Sequence, residues 1–141
     1  NIALFDPKIS KNEAELALIS VGGENILQRD GGIDSMVGES GSGFSAGEKQ
    51  IISFARAMVR DPKILVLDEA TANVDTETEN MIQFGLNRLK KGRTTLLIAH
   101  RLSTIKDSDK IYLLEKGHLI EEGTHDELME LNGKYASMYR N

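Results

Sequence analysis

Two acidic residues, Asp68 and Glu69, stand directly behind the apolar run Ile64-Leu65-Val66-Leu67. In open α/β sheets ligands bind beyond the carboxyl ends of the strands, so a strand over this run would set both carboxylates at such a point. Two acids there can divide the work. One can hold a hydrated Mg²⁺, a hard cation that takes oxygen ligands and keeps several waters. The other can accept a proton from an attacking water. The pair fits equally a strand that ends in two solvated acids, and alone it favours that plainer reading.

Ser45-Ala46-Gly47 stands at a helix start and is a second candidate. Free amides and the helix dipole favour an anion there, Gly47 permits close backbone approach, and Ser45 adds a hydroxyl donor. An ordinary N-cap after a glycine-rich loop accounts for the same residues. His100 ends an apolar segment, where a neutral imidazole could contact a phosphate oxygen and a backbone or carboxylate group together. A satisfied surface histidine is the alternative. His118 and His125 have no such position, and no His/Asp/Glu spacing resembles a zinc site.

A nucleotide-hydrolysing pocket also needs a phosphate loop of the form G-x-x-x-x-G-K-[ST], and none of the 141 residues supplies it. Gly47-Glu48-Lys49 lacks the following Ser or Thr, and Gly133-Lys134 is followed by Tyr135. Gly92-Arg93-Thr94 has the wrong base and leads into a strand. The expectation is that these residues cannot complete a nucleotide pocket by themselves.

The elements that would position these groups follow from periodicity and breakers. Residues 11–20 predict a helix with Ala14, Ala17 and Leu18 on one side, broken by Gly22-Gly23. The Gly/Ser-rich stretch 31–43 reads as a loop. Ser45 with Glu48 three places on is a capping-box pattern, and Ile51, Phe54, Ala55 and Met58 then recur at helical spacing. Asp61-Pro62 stops that helix. The run 64–67 predicts a strand buried on both faces, as in a parallel sheet. A helix over 75–89 follows, with Glu77 and Glu79 in its first turn, Arg88, Lys90 and Lys91 at its end, and Gly92 as its cap. Residues 94–99 and 110–114 predict two more buried strands. Lys116-Gly117 turns the latter into a hairpin with 118–121. Thr124 with Glu127 caps a helix to Leu131, and a last helix covers 134–139. Strands alternating with helices give an α/β layered fold.

Composition sets the outer bounds. The length allows about one domain. At 40% hydrophobic and 28% charged the chain has the make-up of a globular protein rather than a disordered one. A net charge of −5 argues against a nucleic-acid surface, which carries a basic stripe. The absence of cysteine removes disulfides, thiolate metal sites and thiol nucleophiles, and suits a reducing compartment. No apolar run approaches the roughly 20 residues that span a bilayer. The opening Asn1-Ile2-Ala3-Leu4-Phe5-Asp6-Pro7 has no initiator methionine and reads as the middle of a longer chain.

Taken together, the pieces resemble the ATP-binding cassette (ABC) ATPases. FSAGEKQ at 44–50 resembles the signature motif, usually LSGGQ, and ILVLDEA at 64–70 resembles Walker B with its catalytic glutamate. Ala72-Asn73-Val74-Asp75 looks like the D-loop, and IAHRLST at 98–104 like the switch-histidine segment. Their order and spacing agree with the family, and the similarity runs from Asn1 to the C-terminus. The stretch 35–41 resembles the TxVGExG segment of exporters, the run from Lys116 resembles the tail of many exporter chains, and 1–7 resembles the stretch after their Q-loop.

The resemblance implies a partial P-loop NTPase-type core with mainly parallel strands, a helical signature subdomain over 1–61, and the rest of the ATPase core with a terminal hairpin and helices over 62–141. It implies ATP and Mg²⁺ as cofactors, a second nucleotide-binding domain and a transmembrane domain with its coupling helices as partners, no nucleic acid, and a place on the cytoplasmic face of the cell membrane. Residue by residue, Ser45 and Gly47, flanked by Ala46 and Glu48, would face the γ-phosphate held on the partner domain. Asp68 would steady Mg²⁺ through water, Glu69 would polarise the attacking water, His100 would contact the γ-phosphate, and Asp75 would link the two active sites.

Three signature positions depart from the family pattern: Phe44 for Leu, Ala46 for the first Gly, and Glu48 for Gln. Ala46 keeps the site small. Glu48 places a carboxylate near a docking phosphate, which is unfavourable unless it points back into the cap. Such variant signatures are similar to those of heterodimeric exporters. The leading expectation is an exporter ATPase part. The rivals are a soluble ATPase of the same superfamily serving DNA repair or translation, and a docking module for membrane-domain loops.

Overall fold

The computed structural model describes residues 2–35, 38, 41–68, 76–99 and 102–140. The helices are α1 (Lys11–Ser20), α2 (Glu24–Leu27), α3 (Ala46–Val59), α4 (Thr76–Lys90), α5 (Leu102–Ile105), α6 (His125–Leu131) and α7 (Lys134–Arg140). The strands are β1 (Ile64–Asp68), β2 (Thr94–Ile98), β3 (Ile111–Glu115) and β4 (His118–Gly123). A 3₁₀ turn, Gly32–Asp34, falls inside the stretch expected to be loop. The chain divides into two compact units, residues 1–66 with 71–96 and residues 67–70 with 97–141.

In the first unit α3 is the central element, packed against α1 on one side and α4 on the other. The expected faces are the buried ones: Ala14, Ala17 and Leu18 on α1, and Ile51, Phe54 and Ala55 on α3. Ile52 is buried as well, which widens the α3 stripe to serve two neighbours. On α4 the buried face is Ile82, Gly85, Leu86 and Leu89. Gly85 lies at a tight contact between α4 and α3. A Cβ there would lie 2.8 Å from Ile51 Cδ1, 2.8 Å from the Val21 carbonyl oxygen and 3.0 Å from Phe54 Cδ2. The turn after α4 uses Gly92 in the left-handed region, φ +74°, as the cap pattern requires.

Helix α3 ends at Val59, and Asp61 takes a left-handed φ of +42° before Pro62. Arg93, largely buried, holds this corner. Its guanidinium donates to the Pro62 carbonyl at 3.0 Å, the Leu89 carbonyl at 2.7 Å and Asp61 Oδ1 at 2.6 Å, joining the exits of α3 and α4. A left-handed aspartate is uncommon, and here its carboxylate is secured by an Arg fork.

The strands differ from expectation in their burial. β1 and β2 pair with each other in parallel, and β3 and β4 form a separate antiparallel sheet. In β1 only Leu65 is buried, while Ile64 and Val66 are 69% and 65% exposed. In β2, Leu96 and Ile98 are half exposed, and in β3 Leu114 is exposed. The expectation of a strand buried on both faces at 64–67, and of two more buried strands at 94–99 and 110–114, is therefore corrected. An unbroken apolar run permits two-sided burial, but each face also needs a covering layer. Among the described residues the face bearing Ile64, Val66, Leu96 and Ile98 has none.

In the second unit β3 and β4 turn at Lys116-Gly117, both at positive φ (49° and 81°), as a two-residue primed turn demands. The register pairs Ile111 with Gly123 and Glu115 with His118, with an irregularity at Leu113/Leu114. Ile111, Leu128 and Tyr135 make the core, with Leu102, Ile105, Leu113, Met129 and Tyr139 against it. Thr124 and Glu127 form the expected capping box of α6. The Glu121 carboxylate accepts the first amides of α7, from Lys134 at 2.6 Å and Tyr135 at 3.0 Å.

Gly85→Ala is expected to destabilise the first unit by about 1–3 kcal/mol, since overpacking against a backbone carbonyl outweighs alanine's helix propensity. A lowered urea midpoint with unchanged slope checks this; an unchanged or raised midpoint refutes the close approach.

Candidate functional site

The start of α3 carries the signature residues. Ser45 is the N-cap in extended conformation, and its cap is reciprocal. The Glu48 amide donates to Ser45 Oγ at 3.2 Å, and the Ser45 amide donates to Glu48 Oε2 at 2.8 Å. Ser45 and Ala46 are exposed, and Glu48 is half-buried. A serine hydroxyl has two acceptor positions and one donor. Capping uses one acceptor position, and the hydroxyl also stabilises the Glu48 carboxylate. Among the described residues none accepts from the Ala46 or Gly47 amides, so a helix start exposed at Ser45 and Ala46 leaves backbone donors without an internal acceptor. That is the arrangement that binds oxyanions.

Glu48 points back into the cap, the orientation in which its charge is tolerable. Its second oxygen, Oε1, accepts from Arg29 Nη2 at 2.7 Å. Arg29 Nη1 donates to the Gly43 carbonyl at 2.7 Å, and the guanidinium lies 4.4 Å from the centre of the Phe44 ring. Partial burial pushes the Glu48 carboxyl up, but the Ser45 amide, the Arg29 guanidinium and the Ser45 hydroxyl outweigh it and hold the group below the ordinary glutamate value.

Gly47 is buried. A Cβ there would meet Thr78 Cγ2 at 2.5 Å and Met81 Cε at 2.8 Å, so the residue is small to admit α4 as much as to admit a ligand. A cleft of about 360 Å³ opens beside the helix start, lined in part by Asn25, Ser45, Glu48, Glu77 and Thr78.

Asp68 is the last residue of β1 and is exposed, at the carboxyl end of a parallel strand as expected. Its carboxylate is a hard oxygen donor and suits Mg²⁺, which takes one or two carboxylates alongside substrate phosphates. Among the described residues no group of three or more His, Asp or Glu gathers around a metal position. Glu69, Asp75 and His100 lie outside the described residues.

Sequence reasoning missed Arg29. The S-x-x-E spacing announces Glu48 as a capping residue, but the cation that pairs with it lies 19 positions away with no motif to mark it.

Residues 6–72 match the family described as ABC transporter. The likeness to ABC transporters extends over nearly the whole chain. A probable multidrug resistance ABC transporter ATP-binding/permease protein, YheH, from Bacillus subtilis is 52% identical over 140 residues, covering 99% of this chain and 21% of the relative. An ATP-dependent lipid A-core flippase from Shewanella oneidensis is 48% identical over 152 residues, with 99% and 25% covered. A solved structure of a bacterial Atm1-family ABC exporter with ATP bound aligns at a TM-score of 0.84 and 41% identity, over 99% of this chain and 24% of that one. The chain thus spans a quarter or less of the length of these relatives. Its α/β class and its likeness to a P-loop NTPase-type core agree with the sequence reading.

Because Glu48 is held below its ordinary value, its contribution to α3 is present above the ordinary glutamate range and is lost as pH falls through the lower folded-state value. The Ser45 amide resonance is expected to titrate with a midpoint below that of a free glutamate, and Arg29→Met is expected to move the midpoint up. An unshifted midpoint would refute the clamp.

Proposed function

We propose that these residues form the C-terminal part of the nucleotide-binding domain of an ABC exporter, which couples ATP binding and hydrolysis to transmembrane export. The observation that supports it most is the exposed start of α3. Within FSAGEKQ, Ser45 and Ala46 are exposed at the helix start, and the Glu48 carboxylate is turned into the cap. Residues 1–61 would serve as the helical subdomain, and 62–141 would belong to the ATPase core.

In this reading Ser45, Ala46 and Gly47 bind the γ-phosphate of a nucleotide held on a second nucleotide-binding domain, identical or different, with Glu48 securing the helix start. Asp68 would hold Mg²⁺ through water, and that ion would supply positive charge at the phosphates. Glu69 would act as the base that polarises the attacking water, His100 would contact the γ-phosphate, and Asp75 would link the two sites. Phosphoryl transfer of this kind is stabilised by positioning and charge, so each group acts only when the two domains close on the nucleotide. The partners would be that second domain and a membrane domain with its cytoplasmic coupling helices, with no role for nucleic acid. No helix among the described residues is long and apolar enough to cross a membrane, so the membrane part would be contributed elsewhere, with these residues on its cytoplasmic face.

In the whole exporter, Glu69→Gln is expected to slow turnover by a factor on the order of 10²–10⁴, the range of general base catalysis, with ATP binding retained. His100→Ala should also slow it. Steady-state ATPase rates with a separate nucleotide-binding assay check this, and unchanged turnover in Glu69→Gln removes Glu69 from the role of base. Residues 1–141 alone contain no G-x-x-x-x-G-K-[ST] loop and are expected to hydrolyse no ATP. Robust Mg²⁺-dependent hydrolysis by the purified chain would overturn the two-part site.

A further inference from the structure

We propose that Arg29 is a positioning residue for the signature site, cancelling the Glu48 charge so that the start of α3 stays attractive to phosphate. This rests on the reading of Ser45 as a phosphate contact. Two of the three departures from the family's signature, Phe44 and Glu48, are met by the same side chain. Arg29 covers the Phe44 ring at 4.4 Å, donates to Glu48 Oε1 at 2.7 Å and fixes the Gly43 carbonyl at 2.7 Å.

Charge shows why the cation is needed. A helix N-terminus carries roughly half a positive charge, and an ionised glutamate within the first turn would reverse the sign seen by a ligand. With Arg29 bound to Glu48 the pair is neutral and the helix end regains its positive sign. Arginine suits the task better than lysine because one planar fork can serve a carboxylate, a carbonyl and an aromatic face together. The Arg29 side chain is 37% exposed and Glu48 is 18% exposed, so screening by water is incomplete at the carboxylate. Glu77 lines the same cleft and adds negative charge that nothing in the cap offsets.

The test uses the whole exporter in lipid vesicles, with ATPase rates measured over a range of ATP concentration. Arg29→Met is expected to raise KM for ATP roughly tenfold, the size of one lost charged hydrogen bond. Adding Glu48→Gln to Arg29→Met is expected to restore KM to within about twofold of the parent. If the double variant stays as impaired as Arg29→Met, Arg29 merely props the loop through Gly43 and Phe44, and the proposal fails. An unchanged KM in Arg29→Met also overturns it. Should Arg29→Met fail to fold, Arg29→Lys decides. It keeps the charge and is expected to hold KM within about threefold, whereas a tenfold rise shows that charge is not what matters. Ser45→Ala in the same assay separates the underlying reading: if it is silent while Arg29→Met raises KM, the phosphate contact at Ser45 is wrong and the proposal falls with it. If Ser45→Ala is impaired and Arg29→Met is not, only the role of Arg29 falls.

Discussion

The Glu48 carboxylate is the point on which the signature segment depends. One of its oxygens takes the Ser45 amide and the other takes the Arg29 guanidinium, so a single side chain joins the helix start to a residue 19 positions earlier. Without the carboxylate, Ser45 would keep only half of its cap, and Arg29 would lose its anionic partner while still reaching Gly43 and Phe44. The first turn of α3 keeps its orientation because it is tied through Glu48 both to Ser45 and to Arg29. A glutamate that reads as a liability beside an anion is thereby an organiser of the helix start.

The second constraint is distance. Two glycines let α3 and α4 touch almost backbone to side chain: Gly47 under Thr78 and Met81, and Gly85 under Ile51 and the Val21 carbonyl. Both contacts leave no room for a methyl group. Interiors packed to this density respond to displacement as a body rather than by local give. Moving the first turn of α3 therefore presses on the first turn of α4, the helix that follows the D-loop-like segment in sequence.

Much of this was legible from residue order. The capping pairs Ser45/Glu48 and Thr124/Glu127 mark helix starts because their chemistry is local, and both form as expected. The helical faces on α1 and α3 were readable for the same reason. α2 and α5 went unseen because four-residue helices have no period to detect. The apolar runs at 64–67 and 94–98 gave the right strands and the wrong burial. Composition records what a strand can bury, whereas exposure depends on a covering layer that these residues do not all receive. Arg29 and Arg93 were invisible for a further reason. Each stabilises a distant loop through a guanidinium fork, and arginine spacing along the chain carries no trace of where its fork will land.

The distribution of chemistry along the chain has its own logic. The donors for an anion sit on the first turn of a helix whose flanks are buried, while Asp68 ends a strand at the opposite end of an apolar run. A phosphate site made of helix amides attracts negative charge, and a carboxylate placed to hold Mg²⁺ repels it unless the metal is present. Placing both functions around one phosphate on one surface would set them against each other in the empty state. In the proposed reading, mounting them on separate elements, to meet across a nucleotide held between two domains, would let each keep its own sign until the ligand and its ion arrive together. The Glu48–Arg29 pair follows the same rule at smaller scale: the acid needed for folding is neutralised inside the cap, so that folding and anion binding do not compete for the same turn of helix.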